Sequence, residues 1–123
     1  MGFTVRELNH VAIHVKDLDT SVDFYERVMG LPRIPRPNFN FPGAWFALGN
    51  QELHLIEDKN LTPCTRRHHH FALQVEDTYA VREELEAKGW NHFVSHGPRP
   101  DGAIQLFILD PDGYVIELVS PPK

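Results

Sequence analysis

Residues Leu8 to Asp17 read LNHVAIHVKD, and this stretch decides the fold. Apolar Val11, Ile13 and Val15 alternate with His10, Ala12 and His14, the period of a strand with one face on a core. The other face carries two histidines. Sixty residues further on the same text returns as HHFALQVED, His69 to Asp77. His70 falls where His10 fell. Phe71, Leu73 and Val75 take the places of Val11, Ile13 and Val15, and Asp77 that of Asp17. A repeat of about half the chain length predicts two copies of one small unit.

Each copy continues in the same order. The first strand runs into a helix start at Asp17 to Thr20, with Asp19 or Thr20 as cap. Val22, Tyr25, Val28 and Met29 follow at helical spacing, widened by Phe24, until Gly30 and Pro32 end the helix. The proline-rich stretch from Pro32 to Pro42 suits an edge strand or a loop. Ala44 to Gly49 and Glu52 to Glu57 read as a hairpin turning at Gly49-Asn50. In its second strand Leu53 and Leu55 face one way, and Glu52, His54 and Ile56 the other.

Asp58 to Arg67 is polar and reads as the linker. Beyond it come a strand from His69 to Glu76, a cap at Asp77-Thr78, and a helix burying Val81 and Leu85 that stops at Gly89. A short strand, Trp90 to Ser95, precedes a loop, His96 to Gly102. Two more strands, Ala103 to Leu109 and Tyr114 to Ser120, flank a tight turn, DPDG. The expected class is α+β: two βαβββ modules forming a cupped mixed sheet with helices outside. The chain, residues 1–123, is expected to be one domain, with module 1 at about 6–58, a linker at about 59–67 and module 2 at about 68–120.

The totals narrow the function. A net charge of −5 argues against nucleic acid as a partner. The chain holds no apolar run long enough for a membrane span and no secretory signal at MGFTVREL, and Cys64 is alone. A cytoplasmic location is expected.

Aligning Leu53-His54-Leu55 with Ile116-Glu117-Leu118 places two metal-competent side chains at matching points of the two copies. With His10 and His70 they make a set of four opposite the apolar stripes, expected to point into the hollow of the curved sheets. Three imidazoles and one carboxylate suit a borderline divalent ion: Zn, Ni, Fe, Co or Mn. A buried, unpaired Glu117 would be costly, and a cation would relieve that cost. His69 shares the stripe of Phe71 and Leu73 and is expected to face the helix layer. His68 lies nearer the rim, so the repeat favours His70 over both.

NHVAIHVKDLDTSVDFYERVMGL, FPGAWFALGNQELHLIE and DPDGYVIELV together resemble the vicinal oxygen chelate superfamily, which groups glyoxalase I, bleomycin-resistance proteins and extradiol dioxygenases. The resemblance implies paired βαβββ modules, a divalent metal, frequent homodimerisation, and ligands at His10, His54, His70 and Glu117. It implies chelation of adjacent oxygens of a small-molecule substrate and proton transfer next to a carbonyl, the lyase or isomerase chemistry of glyoxalase type. Glu117 is the expected base, with His54 as a second catalytic candidate.

The chain departs from glyoxalase I in three places. His54 stands where that enzyme usually carries glutamate, His14 replaces an arginine associated with glutathione, and Asp58 stands near an asparagine with the same association. An extradiol-type dioxygenase is the alternative, with His10, His70 and Glu117 as a facial triad and His54 as acid/base. A metal-dependent thiol transferase and a metal-free binding protein are two further ones. Arg33 or Arg36 is expected to meet an anionic group of the substrate. Phe39, Phe41, Trp45 and Phe46 are expected in the pocket wall, with His14 also contacting substrate.

Overall fold

The computed structural model describes residues 2–66 and 68–123, so Arg67, the last residue of the expected linker, lies outside them. The chain divides into two compact units, Met1–Leu61 and Thr62–Lys123. Among the described residues no helix is long and apolar enough to cross a membrane.

The first unit holds β1 (His10–Val15), α1 (Leu18–Asp23), a π-helical turn (Phe24–Val28), β2 (Arg33–Ile34), β3 (Gly43–Leu48) and β4 (Gln51–Glu57). Its sheet runs β1-β4-β3-β2, with β1 and β4 parallel and the other pairs antiparallel. The second unit holds β5 (His70–Gln74), α2 (Thr78–Ala87), β6 (Phe93–Pro98), β7 (Ile104–Leu109) and β8 (Val115–Ser120), in the order β5-β8-β7-β6. Again the first and last strands pair in parallel. Each unit is therefore the βαβββ module that the repeat predicts.

Strand alternation sets the core. Leu53 and Leu55 of β4 are fully buried, as are Leu106 and Ile108 of β7 and Ile116 of β8. Each such aliphatic side chain contributes roughly 2 kcal/mol on leaving water. The first helix is shorter than its stripe suggests. After Asp23 the backbone widens into i→i+5 bonding, with Met29 N–H donating to Phe24 O at 2.8 Å. Phe24, Tyr25 and Val28 are buried there, together with Ser21, whereas Val22 and Met29 are only half-buried.

The two helices start differently. Asp77 caps α2 by accepting the backbone N–H groups of Tyr79 and Ala80. Those bonds, with Lys123 assisting, hold its carboxyl below the usual range. Asp17 caps no backbone group of α1. Its carboxylate accepts from Thr20 Oγ1, and the Leu18 N–H is met by Glu57 Oε2 of β4 at 2.9 Å. The expected caps Asp19 and Thr20 are thus replaced by a side chain from the strand beside β1, remote in sequence and opposite Val15.

Three further boundaries differ from the sequence reading. The strand expected at Trp90–Ser95 lies at Phe93–Pro98, taking in His96, Gly97 and Pro98 from the expected loop. It is an edge strand, where a proline breaks no ladder. His69 is exposed and precedes β5, not facing a helix. Phe46 is fully buried against Tyr25 at 6.2 Å, so it belongs to the core and not to a pocket wall.

Candidate functional site

In the first unit, parallel pairing sets Ala12 of β1 opposite His54 of β4, with His10 two residues upstream on the same face. The His10 and His54 rings stack at 4.2 Å with a 17° tilt. On the other side β3 places Trp45 directly across from His54, and those rings stack at 3.9 Å, nearly parallel at 2°. The His54 imidazole is therefore sandwiched, and its Nε2 bonds Glu52 Oε1 at 2.8 Å. The His10 Nδ1 bonds Asn9 Oδ1 at 2.8 Å.

In the second unit the same register recurs with different side chains. Ala72 of β5 lies opposite Glu117 of β8, and Phe107 of β7 lies across from Glu117 as Trp45 does from His54. The His70 Nε2 donates to Glu117 Oε1 at 2.9 Å, and Gln105 Nε2 donates to Glu117 Oε2 at 3.2 Å. Phe107 meets the His70 ring edge-on at 5.2 Å. Only 6% of the Glu117 side chain is exposed, so its two donors offset the cost of burying a carboxylate.

The candidate ligands thus come as one pair per unit. Among the described residues no group of three or more His, Cys, Asp or Glu side chains is gathered around one point.

The expected substrate contacts separate into two groups. Arg36, Phe39, Phe41 and Trp45 cluster. The Arg36 guanidinium lies 4.7 Å from the Phe39 ring and 5.0 Å from that of Phe41, and Nη2 donates to Phe41 O at 3.0 Å. Phe39 stacks on Phe41 at 5.3 Å and lies 6.1 Å from Trp45. Arg33 instead pairs in register with Phe46 and sits 5.6 Å from its ring. Phe46 neighbours Trp45 in β3, so Arg33 lies on the face away from His54. His14 is exposed, and its Nδ1 is 3.3 Å from Asp58 Oδ2. Two of the positions that depart from glyoxalase I therefore face each other.

Glu52, Gln105 and Gly43 are absent from the sequence-based site. Glu52 had a signal, since it shares the face of His54 in ELHLIE. Gln105 and Gly43 had none beyond strand parity, because their roles come from neighbouring strands.

The residues from 7 to 118 match the family model "Glyoxalase/Bleomycin resistance protein/Dioxygenase superfamily". "Glyoxylase I 4" of Arabidopsis thaliana is 34% identical, the alignment covering 92% of this chain and 70% of that protein. A lactoylglutathione lyase of Neisseria meningitidis serogroup A is 30% identical over 92% of this chain and 89% of its own length. Among solved structures, a Bacillus anthracis protein assigned to the glyoxalase family superposes with a TM-score of 0.84 at 27% identity, covering 98% of both chains. With the matched βαβββ units, these likenesses mean that the chain belongs to the glyoxalase, bleomycin-resistance protein and dioxygenase superfamily.

Proposed function

We propose that the chain is a divalent-metal-dependent enzyme of glyoxalase type. It takes a small molecule by two adjacent oxygens and moves a proton next to a carbonyl. The observation that carries this reading is the shared register of His54 and Glu117, each beside a second ligand-type side chain. Relatives named as glyoxylase I and lactoylglutathione lyase support the choice of chemistry.

The donors fit such an ion. His10, His54, His70 and Glu117 would hold it, a mixed nitrogen and oxygen set without thiolate. Glu117 and His70 share a proton at 2.9 Å. In holding a cation, His70 would carry its ring proton on Nδ1, which leaves Nε2 and the Glu117 carboxylate as donors to the ion. When bound, the ion supplies Lewis acidity at the substrate's oxygen pair. Glu117 then acts as base, its carboxylate taking the proton from the carbon next to the carbonyl and returning it to the neighbouring carbon. No electrons leave the substrate, so no oxidant is needed. His54, steadied between Trp45 and His10 and tied to Glu52, is the second group able to carry a proton there. The two pairs would meet either within one chain or across a homodimer.

Elemental analysis of purified protein should find about one divalent ion per set of four ligands. The ion should be lost in His70→Ala and in Glu117→Ala. Full occupancy in both variants would remove the assignment. Anaerobic incubation in heavy water with α-hydroxycarbonyls and hemithioacetals should incorporate deuterium next to the carbonyl. A dioxygenase would instead consume oxygen and need ferrous iron, and a binding protein would return its ligand unchanged.

A further inference from the structure

The Arg36 guanidinium is held more firmly than a surface arginine needs to be. Phe39 and Phe41 lie against it, and Phe41 O accepts from Nη2. Gly43 of β3 lies under it, where a Cβ atom would stand 2.8 Å from Nη2 and 2.9 Å from Cζ. Its Nε is buried and, among the described residues, has no hydrogen-bond partner. A buried N–H without an acceptor is unfavourable, so this pre-set cation keeps part of its bonding capacity unmet. Rings connect it with the candidate ligands: Phe41 to Phe39 at 5.3 Å, Phe39 to Trp45 at 6.1 Å, Trp45 to His54 at 3.9 Å. Phe39 and Phe41 are 42% and 40% exposed, large apolar faces left to water beside a charge.

We infer that Arg36 is the recognition point for a carboxylate group of the substrate, whose flat, apolar body lies along Phe39, Phe41 and Trp45. A guanidinium presents parallel N–H donors that match a carboxylate's two oxygens, and with Nε closed off the carboxylate meets its Nη groups. Arg33 does not serve this purpose, because it shares the face of the buried Phe46. The inference rests on the proposed metal-chelating reading only for what the rest of the substrate does at His54 and His10.

Benzoate and its neutral isostere benzamide test it on metal-free protein. The readouts are the Arg36 Nε–H and Trp45 indole N–H signals in nitrogen-15 NMR. Benzoate should shift both and saturate, benzamide should bind at least about tenfold more weakly, and inorganic phosphate should leave the Trp45 signal in place. Arg36→Lys keeps the charge but loses the fork, and should weaken benzoate about tenfold, while Arg33→Gln should leave it unchanged. Equal affinity for benzamide overturns the inference. So does the absence of any Arg36 shift at about 50 mM benzoate, or transfer of the effect to Arg33. The benzoate–benzamide comparison uses the unmodified chain, so an unfolded variant does not blunt it. Metal content is measured separately, so the metal reading and the carboxylate site stand or fall independently.

Discussion

His54 and Glu117 occupy one position written twice. Each faces an alanine of a parallel edge strand, Ala12 or Ala72, and an aromatic residue of the antiparallel neighbour, Trp45 or Phe107. The backbone is the same and the chemistry is not. The imidazole lies flat between two rings, whereas the carboxylate is fixed end-on by two hydrogen bonds. A duplicated frame has thus given one flat nitrogen donor and one buried oxygen donor. That asymmetry suits the proposed centre, which would both hold a cation and accept a proton.

Glu52 fixes the orientation of His54 through the 2.8 Å bond to Nε2. Carboxylates that hold a ligand histidine keep it in one tautomer and orientation. Glu52→Ala is expected to weaken metal affinity about tenfold, within the range seen when such partners are lost. Glu52→Gln retains an acceptor oxygen and should lose less. Competition against a chromophoric chelator measures both, and equal affinities in all three proteins would show that Glu52 does not position the ring.

The strands, and the strand faces shared by His10 with His54 and by His70 with Glu117, were legible because alternation and duplication are countable patterns. Val11, Ile13 and Val15 announce a half-buried strand, and HFALQV repeats the statement. What was not legible depends on neighbours remote in sequence. Nothing in DFYERVM signals the π-helical turn that takes Phe24 and Tyr25 together into the core. Nothing in DLDT shows that Glu57 will satisfy the first N–H of α1. His96-Gly97-Pro98 has loop composition and becomes an edge strand because β7 offers it a partner. Arg33 and Arg36 are indistinguishable by type, and only the pairing of β2 with β3 puts them on different duties.

Gly43 should tolerate no side chain. An added Cβ would collide with Leu55 O of the neighbouring strand as well as with the Arg36 guanidinium. The backbone cannot give way as a flexible side chain can, so Gly43→Ala is expected to destabilise the fold by about 1–3 kcal/mol. It should also release Arg36 from its bed, moving the Nε–H signal toward that of a free arginine. Thermal unfolding and the same NMR signal check both effects. An unchanged melting temperature would mean that the sheet has more room there than the distances allow.

His96 gives the second unit a pH dependence. It stands on β6 against the start of α2, with Nε2 3.0 Å from Thr78 Oγ1, Tyr79 beside its ring, and Arg82 at 3.5 Å. Burial and the Arg82 charge push its pKa below the ordinary 6.5, and Asp77 opposes them only in part. The unfolded chain therefore takes up this proton more readily than the folded one. The contribution of neutral His96 is complete above pH 6.5 and is lost as pH falls from there through the lowered folded value. Denaturant unfolding should show stability dropping in that acid window, and His96→Gln should flatten the drop. An identical slope in the variant would assign the effect to other groups.

Mixing two defective variants distinguishes pairing within a chain from pairing across a homodimer. His10→Ala damages only the first unit and Glu117→Ala only the second. If each centre takes its pairs from two chains, a heterodimer of the two variants contains one doubly damaged centre and one intact centre. Co-refolding equal amounts makes about half of all dimers mixed, so metal occupancy should return to about a quarter of wild type. If each centre is built within one chain, every centre carries a lesion and occupancy stays at that of the separate variants. Size-exclusion chromatography of the mixture establishes that dimers have formed. A return of metal without dimers would remove both arrangements, because neither variant alone has four ligands to offer.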